Sequence, residues 1–204
     1  RLSVTWPKHL SDHLGCSEFH NHSLGCGSNA RIVRKTLDFF VPKILAGEDL
    51  SEWVVAIQWS EPSRFEFFDN TTNSWAIAKH DVVLFEKNRA FTPSDREDIL
   101  HYYTYNNDAT WGSAFFLQIL ALGNFLKSNN IKYVFTMIHP SFVDPLTATQ
   151  LEYCNKNVTW YNNDIMQCSI SDMGVEQCEL SPHPSELGHR QIAENLFRFL
   201  SAQT

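Results

Sequence analysis

The five cysteines of this 204-residue chain, Cys16, Cys26, Cys154, Cys168 and Cys178, include no Cys-x-x-Cys pair. That absence argues against a zinc ribbon or a thioredoxin-type redox centre, and an odd count in a chain of this size does not make a disulfide scaffold. One bridge within residues 154–178 is the cross-link the spacing leaves open. Basic residues are also scarce: 16 Lys and Arg stand against 23 Asp and Glu, a net charge of −7 with no basic cluster. A nucleic-acid groove needs a basic stripe, so no nucleic-acid partner is expected. No apolar run reaches 18 residues and no signal-peptide pattern occurs, so no membrane span is expected. The three Asn-x-Ser/Thr triplets at Asn21, Asn70 and Asn157 read as chance.

Aromatics, by contrast, are plentiful at 13% of residues, with 15 Phe and 6 Trp. Such side chains fill a core, and some line a pocket. The length fits one domain spanning residues 1–204. Trp6, Leu10 and Leu14 are spaced as a helix that Gly15 can end. SEFHNHSL suggests a short strand; His20 and His22 would share a face of it, but no third ligand accompanies them, and no metal site is expected. GCGSNARIVRKTLDFF reads as a glycine-rich loop entering a helix that Pro42 should end or kink. EWVVAIQW, Glu52 to Trp59, and IKYVFTMIHP, from Ile131, read as strands buried on both faces. Residues 60–92 look like an insertion or lid, with DNTTNS as a turn and DVVLF as a short strand. PSDREDILHYY starts a helix with Ser94 as cap and Glu97 closing a capping box. TWGSAFFLQILALGNFLKSNN is the clearest helix, striped by Phe115, Ile119, Leu122 and Leu126. Residues 140–180 read as irregular, and Ile192, Leu196 and Leu200 mark a last helix. Strands alternating with helices predict an α/β fold, with a mostly parallel sheet covered on both faces.

In such sheets ligands bind beyond the carboxyl ends of the strands. Three segments should share that edge: the loop with Gly25, Gly27 and Asn29; the turn with Ser60, Glu61 and Arg64; and His183-Pro184 ahead of the last helix. Simpler structural roles compete. The glycines can serve a tight turn, Asn29 can cap its helix, and Arg31 and Arg34 fit a solvated helix face. A glycine-rich loop entering a helix can also cradle phosphate, which makes a flavodoxin-like nucleotide binder a weaker third reading.

The block HPSELGHRQIA, from His183, resembles the C-terminal block of the SGNH/GDSL hydrolase superfamily. NHSLGCGSNARIVR is similar to that family's second block, and VVAIQWSEPSR occupies the place of its third. TWPKHLSDHLG, WS.P.R.E and LK..NI.Y.F resemble stretches of small SGNH-like proteins of marine viruses. The resemblance implies a flavodoxin-like three-layer sandwich with His183 as catalytic base and the Gly27 N–H, or that of Gly25, as oxyanion donor. Asn29, Ser60, Glu61 and Arg64 would bind substrate or oxyanion. Two departures stand out. Gln58, Ser60 and Glu61 replace the third block's Asn, and Leu180 and Ser181 stand where an acid should precede His183, leaving Glu179 nearest and Asp172 farther off. The first block, Gly-Asp-Ser, is missing. Its serine is expected just upstream of Arg1, with Ser3 the alternative within the chain.

The implied activity is cofactor-free hydrolysis of an ester, a short-chain ester or a carbohydrate O-acetyl group, through an acyl-enzyme. The rival expectation is a catalytically inactive SGNH-fold binding or virion-associated protein, virus-encoded and acting inside the cell or on the virion. Oligomeric state is not legible in the sequence.

Overall fold

The computed structural model describes residues 5–25, 27–70, 73–79, 82–85, 92–178 and 183–203. In chain order its elements are α1 (Trp6–His13), α2 (Asn29–Leu45), β1 (Val54–Trp59), β2 (Phe65–Asp69), β3 (Ser74–Lys79), β4 (Val82–Phe85), α3 (Pro93–Tyr105), α4 (Asp108–Ser128), β5 (Lys132–Met137), α5 (Ala148–Asn157) and α6 (Glu186–Ser201). The chain is therefore mixed α/β, built around a short parallel sheet.

The two apolar runs pair with each other. β1 and β5 lie parallel, in register from Val54 opposite Lys132 to Trp59 opposite Met137. Alternation sends their side chains to two faces. Ile57, Trp59, Tyr133, Phe135 and Met137 join a cluster with Phe40 of α2 and with Phe115, Ile119, Leu122 and Leu126 of α4. Val134 faces the other way, onto Trp6 and Leu10 of α1 and Ile192, Leu196 and Leu200 of α6. A parallel pair needs helices over both faces, and this pair has them. Burial of each large side chain here contributes roughly 1.5–3 kcal/mol. By length and composition α4 is apolar enough to cross a membrane, yet its apolar stripe is buried in this core. Beyond β5, single parallel bridges join Phe135 to Trp160 and Met137 to Ser169. Among the described residues, β1 is paired along one edge.

Several expectations are corrected. The sheet is a parallel pair plus a separate antiparallel sheet, β2–β3–β4, where only β4 was expected. Glu66 obscured β2 because its carboxylate turns inward to meet Arg34. SEFHNHSL forms no strand; His20 and His22 rest instead against Phe39 of α2, at ring distances of 4.7 and 5.4 Å. Helix α2 runs on past Pro42 to Leu45, since a proline so near the end removes one hydrogen bond in the last turn only. The cap of α3 is Thr92 with Asp95, two residues before the expected pair, because Pro93 suits the first helical position. Helix α5 fills part of the stretch read as irregular, and its weak pattern reflects a single buried residue, Cys154. Cys154, Cys168 and Cys178 are free thiols, so the bridge within 154–178 is not formed.

Two glycines are required by close backbone approach. A Cβ on Gly112 would lie 2.2 Å from the Pro145 carbonyl oxygen, and one on Gly188 would lie 2.0 Å from that of Glu176. A Cβ on Gly25 would meet nothing within 4 Å. Gly112→Ala and Gly188→Ala should each lower unfolding free energy by about 3 kcal/mol. Gly25→Ala should leave the urea midpoint near wild type.

Candidate functional site

Because β1 and β5 run parallel in register, Trp59 and Met137 end together and define one rim. Helix α2 begins there: Asn29, buried at its first turn, donates from Nδ2 to the Ser60 carbonyl (3.0 Å) and accepts from the Ser60 N–H at Oδ1 (2.8 Å). Ser28, not Asn29, is the helix cap, accepting from the Arg31 N–H. Helix α1 also starts at this rim, where Trp6 Nε1 donates to Gln58 Oε1 at 3.3 Å. Helix α6 follows Pro184, which bridges antiparallel to Gln177, and residues 169–172 lie at the end of β5, where the Ile170 N–H donates to the Met137 carbonyl. Three helix N-termini thus gather around the rim, and their partial positive charge favours an anion or a developing oxyanion.

The first group of side chains sits just beyond β1. Arg64 Nη1 donates to Ser60 Oγ at 3.0 Å, which leaves the Ser60 hydroxyl proton for another acceptor. Glu61 Oε2 lies 3.5 Å from Arg64 Nε, and Ser63 donates to Glu61 Oε1 at 2.9 Å. The Tyr103 hydroxyl donates to the Ser63 carbonyl, and burial pushes its pKa up to about 12, so it stays a protonated donor. Four of the expected residues, Asn29, Ser60, Glu61 and Arg64, are therefore brought together. Gly27 lies in the same loop, where its N–H is engaged by the Leu24 carbonyl at 3.0 Å; Gly25 is exposed. Arg34 departs from the solvated face expected of it. It lies over the Trp75 ring at 4.2 Å and makes a two-pronged pair with Glu66, at 3.0 and 2.9 Å.

His183 belongs to a second group, on the α1–α6 face. It is exposed, its carbonyl accepts from the Cys178 N–H at 2.9 Å, and the adjacent Gln177–Pro184 bridge makes this a short antiparallel ladder ahead of α6. Its electrostatic neighbours include His189, whose pKa is held below the ordinary histidine value by burial first, then by His9 and His183. His189 Nδ1 and His9 Nε2 are both buried without a hydrogen-bond partner. Ser3 and Glu179 lie outside the described residues. Asp172 accepts from Ser169 Oγ at 2.5 Å, and Ser169 and Ser171 share a hydroxyl contact at 2.8 Å. Among the described residues, no group of three or more ligating side chains could hold a metal.

One pair went unread in the sequence. Past β5, His139 Nδ1 and Ser141 Oγ are 2.7 Å apart, and the Ser141 N–H donates to the same nitrogen. The His-Pro step after a buried strand was its available signal. At the opposite end of the sheet, the C-termini of α1, α4, α5 and α6 approach a cavity of about 810 Å³, which includes Lys127, Lys132 and Lys156 in its lining. Cations there offset the negative ends of the helix dipoles.

Asn29, Ser60 and the parallel pair all fall within the stretch matched by one family profile, residues 1–166. The chain belongs to a family of unknown function, DUF6071. The DUF6071 match takes in α1 to α5 and the group beyond β1; it stops short of His183 and α6. Comparison with curated proteins and with solved structures returned no match.

Asn29→Ala removes both side-chain bonds to Ser60 and leaves two buried backbone groups unpaired, so unfolding free energy should fall by about 2–3 kcal/mol in urea titration. For His189, the folded pKa lies below the unfolded one, so the unfolded chain binds more protons as the pH drops. This contribution is fully present above the unfolded value of about 6.5, and Tm should fall as the pH drops below it. His189→Gln should flatten that decline.

Proposed function

We propose that this chain is an SGNH-like serine hydrolase with a flavodoxin-like three-layer architecture, cleaving a small-molecule or carbohydrate ester. The observation that carries the reading is the position of His183, an exposed imidazole in the turn directly ahead of the last helix. Helices over both faces of the parallel pair and helix N-termini gathered at its rim also support it. Among the described residues β1 has one unpaired edge, which would accept one more parallel strand. Ser3, which lies outside the described residues, is the candidate nucleophile within the chain.

In this mechanism the His183 imidazole takes the serine proton as Oγ attacks the ester carbonyl carbon. The C–O π electrons move onto oxygen, and the helix N-termini and the Ser60 hydroxyl would stabilise that oxyanion. Collapse expels the alcohol, which leaves with the proton held by His183. Water, deprotonated by the same imidazole, then releases the acid from the acyl-enzyme. Glu179 is the candidate partner that orients the imidazole. No cofactor enters this scheme.

The alternative is an inactive SGNH-fold binding or virion-associated protein. Asn29 favours it: its amide is engaged by the Ser60 backbone, and the Asn of the third block is missing. Hydrolysis of p-nitrophenyl acetate separates the two. His183→Ala should lower the rate by roughly 10²–10⁴-fold, and His139→Ala should not. Equal rates for wild type and His183→Ala would remove His183 as base, and no turnover by the wild type would favour the inactive reading.

A further inference from the structure

Beside the small antiparallel sheet, β2 and α3 enclose a groove of about 430 Å³ lined by Phe65, Phe67, Asp98, His101, Tyr102, Tyr105 and Asn106. Two periodicities build it. Phe65 and Phe67 are two apart on β2 and share a face. Asp98, His101, Tyr102 and Tyr105 follow at i, i+3, i+4 and i+7, one stripe of α3. Phe65 and Tyr102 stack across the junction at 3.7 Å, and His101 lies 4.5 Å from Tyr105. Ile99 and Tyr103 hold the helix to the sheet by packing with Ala76 and Ala78, and Phe65 and Phe67 pack against the same cluster from one side of the groove. Tyr105 remains 71% exposed at the groove, so core packing does not account for it.

We propose that this groove binds an organic ammonium ion carrying N-methyl groups, of the choline or trimethylamine type. Ring faces are negative, and they attract cations whose methyl groups hold little water. Among the described residues, Asp98 is the only carboxylate in the lining, and no Lys or Arg lines the groove to repel a positive ligand or recruit an anion. The chain uses the same attraction internally, with Arg34 over Trp75 at 4.2 Å and Lys43 over Trp53 at 5.0 Å. A net charge of −7 adds a favourable long-range field.

Titration of the full chain with choline, followed by ligand-observed NMR, tests this directly and does not depend on ester hydrolysis. Choline should bind saturably, and at least about fivefold more tightly than its neutral isostere 3,3-dimethylbutan-1-ol. Asp98→Asn and Tyr105→Ala, both at exposed positions, should each weaken choline by about threefold or more with Tm unchanged. Equal binding of the neutral isostere, no effect of either substitution, absence of saturable binding, or tighter binding of methyl glucoside would each overturn the assignment. Loss of choline binding would leave the His183 reading untouched, and loss of hydrolysis would leave the groove untouched.

Discussion

The register of β1 against β5 governs where everything else can lie. Six residue pairs, from Val54–Lys132 to Trp59–Met137, fix both strand ends at one level. Parallel strands cannot be joined by a tight hairpin, so the chain must leave, cross a face and return. Helix α4 makes that crossing, packed through Phe115, Ile119, Leu122 and Leu126. Returning helices run antiparallel to the strands, and this puts positive helix ends at one rim and negative ends at the other. The Asn29–Ser60 bonds then tie the start of α2 to the residue directly after β1. A side-chain amide satisfying both backbone groups of one residue acts there as a substitute strand neighbour.

The antiparallel sheet joins this frame through charge as well as packing. Glu66 is nearly buried, with 5% of its side chain exposed, and Arg34 meets it from α2 with two hydrogen bonds. Trp75 covers the guanidinium. Removal of one partner from such a pair leaves an uncompensated buried charge, a loss of about 3–5 kcal/mol. The pair therefore couples the position of β2 and β3 to α2, and so to the loop at Gly27. Tyr103 makes a second link, from α3 to the Ser63 carbonyl next to the Arg64 group.

Legibility followed the range of the interaction. The α4 stripe and the β1 and β5 runs were readable because each depends on spacing within one segment. Helix α5 was not, because one buried side chain, Cys154, makes too faint a periodicity. Strand β2 was hidden by Glu66, whose inward turn makes sense only beside an arginine 32 residues earlier. The cap of α3 slipped by two residues because Ser94 and Glu97 matched a local motif, whereas Pro93 at the first helical position moved the start to Thr92.

From the sequence alone came the α/β class, the two buried strands, the helices around them, and the edge at which Asn29, Ser60 and Arg64 gather. These follow from periodicity and from the rule that parallel strands end together. Tertiary structure alone decided that Asn29 holds the Ser60 backbone, that Arg34 serves Glu66, and that His183 neighbours His189 at the start of α6. Each of the first two joins residues about 30 positions apart, and the third depends on how a turn folds back onto its helix. Such partners are selected by the packing of whole elements, which no local pattern encodes.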